Sequence, residues 1–146
     1  MRKINLDMKM TKSIALGIIC LAFMVSCGGV SEQEALKDEV IKIHDEVMPK
    51  MGELKSEEKR LLDLAKQYLL EDSVNNIGKA EKIKKAASNL EKAYDGMFVW
   101  MRQFKADLSE MEEEEAISYL NGQKEMVSEV NEDIKKALEE AKKIEE

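Results

Sequence analysis

The chain is poor in residues that interrupt or crosslink a backbone. It has one proline, Pro49, in 146 residues, and since proline is the residue that breaks helix hydrogen bonding, long helices go almost unopposed. No segment alternates apolar and polar residues as a half-buried strand would, which excludes a sheet as the organising element. Two cysteines, Cys20 and Cys27, are too few for a disulfide framework. The single histidine, His44, is a thin basis for zinc, which takes several ligands at set spacing. Glycine-rich phosphate loops after a strand are missing too. Asp45 and Glu46 adjoin His44, but successive helical residues point in different directions. No catalytic residue is assigned, and enzyme activity and cofactors are not expected.

What is present begins with a basic amino terminus, Arg2, Lys3, Lys9 and Lys12 against Asp7 alone. An apolar run from Ile14 to Val25 follows, of signal-peptide length and too short to span a bilayer comfortably. It ends in Met24-Val25-Ser26-Cys27, which resembles the lipobox of bacterial lipoproteins. A peptidase needs a small residue beside the scissile bond, here Ser26, and the Cys27 thiol takes the lipid. Residues 1–26 read as a signal peptide, 27–30 as the lipidated cysteine with a short spacer, and 31–146 as one domain. Several acyl chains on one cysteine anchor a protein stably.

Residues 1–26 hold four of the 23 Lys/Arg and one of the 30 Asp/Glu, so the chain from Cys27 onward has 19 bases and 29 acids, a formal charge of −10. Phosphate backbones demand a basic face, so nucleic acid is excluded as a partner. Spreading of the protein surface on anionic lipid is excluded likewise. With Cys27 under lipid the domain has no disulfide, and packing must hold it together.

The predicted fold is all-α, an elongated antiparallel three-helix bundle with helices at about 31–71, 77–107 and 110–145. Ile83, Ala87, Leu90, Tyr94, Met97, Met101, Phe104 and Leu108 recur at intervals of four and three, one stripe on one helix. The first helix carries Leu36, Val40, Ile43, Val47, Met51, Leu54, Leu61, Ala65 and Tyr68 or Leu69, in phase across Pro49, where a kink is expected. A break into four helices at Pro49–Gly52 is the alternative. Asp72, Ser73, Asn75, Asn76 and Gly78 mark the first turn. Ile117, Leu120, Val127, Val130, Ile134, Leu138, Ala141 and Ile144 form the last stripe, with Asn121-Gly122 a weak point inside it. Ser31-x-x-Glu34 and Ser109-x-x-Glu112 read as capping boxes.

Two segments could carry function. Tyr94 to Phe104 holds four of the six aromatic residues after Cys27, and Met97–Met101 is apolar all round. Such a turn is either buried among several helices or leaves Phe98, Val99 or Trp100 exposed as a patch for a partner. The other segment centres on His44, with Met48 and Met51 close in sequence. An imidazole and thioethers could hold Cu(I), with Met97 or Met101 joining; alternatively the methionines simply fill core gaps.

HDEVMPKMGEL at 44–54, MFVWMRQF at 97–104 and AISYLNGQ at 116–123 resemble a family of small Bacteroidota lipoproteins that often bear the label "viral A-type inclusion protein". The likeness runs over most of the chain after Cys27. It implies a lipoprotein of the bacterial envelope and supplies no catalytic residues. Surface-exposed lipoproteins of that phylum carry an acidic tag after the cysteine, whereas this chain has Gly28-Gly29-Val30-Ser31. The inner leaflet of the outer membrane, facing the periplasm, is therefore the expected location. The expected role is a non-enzymatic module that binds another envelope protein. A periplasmic Cu(I)-type protein using His44, Met48 and Met51 is the alternative. Helical stripes pair within or between chains, so oligomeric state stays open.

Overall fold

The computed structural model describes residues 30–144. The expectations for the signal peptide, its cleavage between Ser26 and Cys27, and lipid on Cys27 lie outside the described residues. Four helices follow: α1 (Glu32–Val47), α2 (Met51–Glu71), α3 (Ile77–Gln103) and α4 (Glu113–Lys142), with one 3-10 turn at Met48–Lys50 between α1 and α2. No strand occurs among the described residues.

Together α1 and α2 make up the first predicted helix. Pro49 has no N–H to offer the Asp45 carbonyl, and the backbone answers with a single 3-10 turn in which the Met51 N–H reaches the Met48 carbonyl. The stripe runs straight across it. Val40, Val47, Met51, Leu54, Leu61 and Ala65 are all buried. The two pieces lean on different neighbours, α1 mainly on α4 and α2 mainly on α3.

Side-chain pairs set the directions. The Lys55 ammonium lies 4.9 Å from the Tyr94 ring centroid, and the His44 ring lies 5.5 Å from that of Trp100. Residue numbers rise on one rod as they fall on the other, so α3 is antiparallel to α1 and α2. Asn89 with Glu140 and Phe104 with Tyr119 show the same for α3 and α4. Glu39, Glu46 and Glu53 pair with Lys124, Lys135 and Lys142 at 2.8, 2.6 and 2.7 Å, so α4 runs parallel to α1 and α2. The result is three rods in up-down-up order. These ion pairs are exposed and worth little individually; the apolar seam beneath them supplies the stability. Burial of side chains such as Leu54, Leu61, Leu90, Met97, Leu120 and Ile134 contributes about 1.5–3 kcal/mol each.

The α2–α3 turn falls where expected. Asp72 accepts the Val74 and Asn75 N–H groups, each at 3.0 Å, and the Asn76 amide closes back on the Tyr68 carbonyl at 3.0 Å. Toward the same end of the bundle Arg60 ties α2 to the end of α4, donating to the Ala141 and Ile144 carbonyls at 3.0 and 3.3 Å.

The other turn differs from expectation. The second helix stops at Gln103 instead of about 107, and the last starts at Glu113 instead of about 110. No glycine or proline ends α3; tertiary contacts do. The Tyr119 hydroxyl takes the Lys105 N–H at 2.7 Å, Lys37 takes the Ala106 carbonyl at 2.6 Å, and the Asp107 carboxylate takes the Ser109 N–H at 3.0 Å. The predicted capping box at Ser109–Glu112 does not form, because Glu112 is the cap residue and makes no side-chain cap bond. Leu108 is nonetheless buried, entering the core from the loop.

On α4 the inner face also differs from the predicted stripe. Ile117 and Val130 are half-buried, while Ala116, Gln123 and Asn131 are buried. Asn131 donates to the Ile43 carbonyl at 3.0 Å and to Glu46 Oε2 at 3.2 Å. Replacing it with alanine should destabilise the fold by about 0.5–1.5 kcal/mol, the net worth of an intramolecular hydrogen bond; urea unfolding measures this. Gly122 lies inside α4, and a Cβ added there meets nothing within 4 Å. Gly122→Ala should therefore stabilise by about 0.5–1 kcal/mol, read as a rise in the urea midpoint.

Candidate functional site

Helical rotation divides the apolar turn of α3 among three environments. Met97 is fully buried and Trp100 is 3% exposed, whereas Val99 is 42% exposed. Phe98 is half-buried against Tyr94, ring centroids 4.9 Å apart. The three residues proposed as one patch thus separate: Val99 faces out, Phe98 is partly covered and Trp100 belongs to the core. The turn is not buried all round either.

Trp100 joins three rods. Its ring lies 5.5 Å from that of His44 on α1 and 5.0 Å from that of Phe104, stacked. Phe104 is in turn 6.4 Å from Tyr119 on α4. Aromatic pairs at such separations add about 0.5–1.5 kcal/mol beyond their buried area. The Trp100 Nε1 has no acceptor, and the buried Gln123 Oε1 has no donor.

Beside Trp100, between α3 and α4, lies an open groove of about 260 Å³ lined by Gly96, Val99, Trp100, Gln103, Met126, Glu129 and Val130. Most of its surface is apolar, with Gln103 and Glu129 as its polar members. Met126 is 40% exposed at its edge. Gly96 leaves the groove floor without a side chain, and a Cβ on it would stand 3.9 Å from Val130, in ordinary contact.

His44 has two distinct partners. Its Nδ1 is 2.8 Å from Asp45 Oδ1, and its Nε2 is 3.4 Å from Met101 Sδ. Of the methionines expected to join His44, Met101 is the one whose sulfur meets the ring, brought there from 57 residues away by the antiparallel register. Met48 is half-buried and Met51 buried, both packed in the core. Among the described residues no three His, Cys, Asp or Glu side chains form a metal-holding group, and no helix is long and apolar enough to cross a membrane.

Electrostatics around this segment follow hydrogen bonds. Glu46 is held below its ordinary carboxylate value, first by Lys135 and then by the Asn131 amide. Glu53 is lowered chiefly by Lys142. The turn acids Asp72 and Asp107 are lowered chiefly by the backbone N–H groups of Asn75 and Ser109.

No known protein family, curated protein or solved structure matches the chain.

A carboxylate whose value is lowered by folding binds its proton less readily in the folded state. Its contribution is complete above the ordinary value, 4.5 for Glu46 and Glu53, and is lost as pH falls through the lowered one. Thermal midpoints followed by circular dichroism should hold from pH 7 to about 5 and fall below that. Glu46→Gln should make the fall shallower.

Proposed function

We propose that the chain is a lipoprotein of the bacterial cell envelope, cleaved after Ser26, anchored through lipid on Cys27 and facing the periplasm. Its helical domain acts by binding another envelope protein, not by catalysis. The resemblance to small Bacteroidota lipoproteins and the lipobox-like Met24–Cys27 segment support the anchor. Only three residues separate Cys27 from Ser31, which keeps the bundle close to the membrane. The 3-10 turn at Pro49 serves on this reading as the bend of the first rod.

The groove between α3 and α4 carries the binding half of the proposal. Its centre is apolar, it is flanked by the exposed side chains of Val99 and Met126, and polar Gln103 and Glu129 stand at its margin. An apolar centre with a polar surround is the composition of a protein-docking site. The occupant is an apolar side chain of the partner, resting against Val99, Val130 and Trp100.

One experiment in cells examines both halves. Labelled palmitate should enter the wild-type chain and not Cys27→Ala, and a photoreactive residue at position 99 should crosslink to one discrete envelope protein. The same group at Lys84, exposed elsewhere on α3, should not. Met126→Glu should abolish the crosslink while leaving the thermal midpoint within about 1 °C, since exposed positions contribute little stability. Equal crosslinking from positions 99 and 84, or none from 99, would sink the docking proposal; palmitate in Cys27→Ala would sink the anchor.

A further inference from the structure

We infer that His44 and Met101 form a binding site for a soft monovalent cation, Cu(I) or its analogue Ag(I), with the Trp100 ring beside it. This goes beyond the docking proposal and rests on residues that do not line the groove, His44 and Met101. The argument starts at the imidazole. Asp45 Oδ1 accepts from Nδ1 at 2.8 Å, which places the ring proton on Nδ1 and leaves a lone pair on Nε2. That lone pair faces the Met101 sulfur at 3.4 Å. Sulfur is an acceptor too. With the proton on Nδ1, the imidazole nitrogen and the thioether sulfur turn two electron-pair donors toward one point, where a metal ion can take the place of the Nε2 proton of the other tautomer.

Several features favour a metal ion. Imidazole with thioether is a soft donor set, the kind that selects Cu(I) over harder cations. A carboxylate behind the ligating imidazole is the usual arrangement at metal sites, because it fixes the ring and makes Nε2 more basic. The Trp100 ring, 5.5 Å from the His44 ring, offers a π face, which attracts cations. The His44 side chain is 18% exposed, so an ion can enter from solvent. Further thioethers stand nearby in the helical register. Met48 follows His44 by four residues and Met97 precedes Met101 by four, both lying one turn toward the middle of the bundle.

Trp100 is the only tryptophan in the chain, so its emission reports on this site alone. The full chain carrying Cys20→Ser and Cys27→Ser, which removes the two thiols that would otherwise take Ag(I) first, is titrated in detergent with Ag(I), a redox-inert probe, while Trp100 fluorescence is followed. The emission should be quenched with saturation at one equivalent. Met101→Leu, which conserves side-chain volume, and His44→Gln should each weaken the response by about tenfold or more. Met111→Leu, at a methionine of the loop between α3 and α4, should leave it unchanged. Circular dichroism confirms that each variant is folded. No saturable quenching in the wild type, or wild-type affinity in either Met101→Leu or His44→Gln, overturns the site and assigns the gap to a proton.

Discussion

The carboxamide of Asn131 reaches from α4 to the Ile43 carbonyl and the Glu46 carboxylate, and the alignment of α1 with α4 depends on that reach. Seams of Leu, Val and Ala can pack at more than one register, since a shift by a heptad again sets apolar residues against each other. A buried asparagine cannot shift so cheaply, because any other register leaves its polar atoms without partners. The ladder of Glu39, Glu46 and Glu53 against Lys124, Lys135 and Lys142 repeats the same choice at the surface. Like-charge encounters in wrong registers add a penalty, even though the correct pairs add little.

Register then decides chemistry. With α1 fixed on α4, and α3 held by the aromatic series Trp100, Phe104 and Tyr119, His44 comes level with Trp100 and Met101. The alanines of α3, Ala80, Ala86, Ala87 and Ala93, are all buried. Small side chains there allow the rods to come close, leaving the bulk of the core to a few leucines and methionines. At Gly96, between α3 and α4, the groove opens.

Periodicity in the sequence revealed the rods because apolar spacing records which face is buried. The stripe from Ile83 to Met101 and the turn at Asp72–Asn76 needed nothing else. It could not reveal polar residues on the inner face: Gln123 and Asn131 look like ordinary surface residues until a partner helix covers them. Nor could it mark the end of α3. Leu108 continues the four-three spacing, yet it reaches the core from a loop whose path is set by Tyr119, Lys37 and Asp107, all distant in sequence or outside the stripe. His44 was conspicuous as a lone histidine, but its sulfur neighbour is a product of antiparallel packing.

One helix, α4, lies along both pieces of the first rod, pairing with Glu39 and Glu46 before Pro49 and with Glu53 and Arg60 after it. It therefore works as a splint across the discontinuity. Because it runs parallel to α1, a pull on the amino-terminal end of α1 along the rod loads these contacts in shear. They must yield together instead of peeling apart one after another. A tether at that end would meet a mechanically stiff domain, although its weakest backbone point is only 17 residues into the first helical rod.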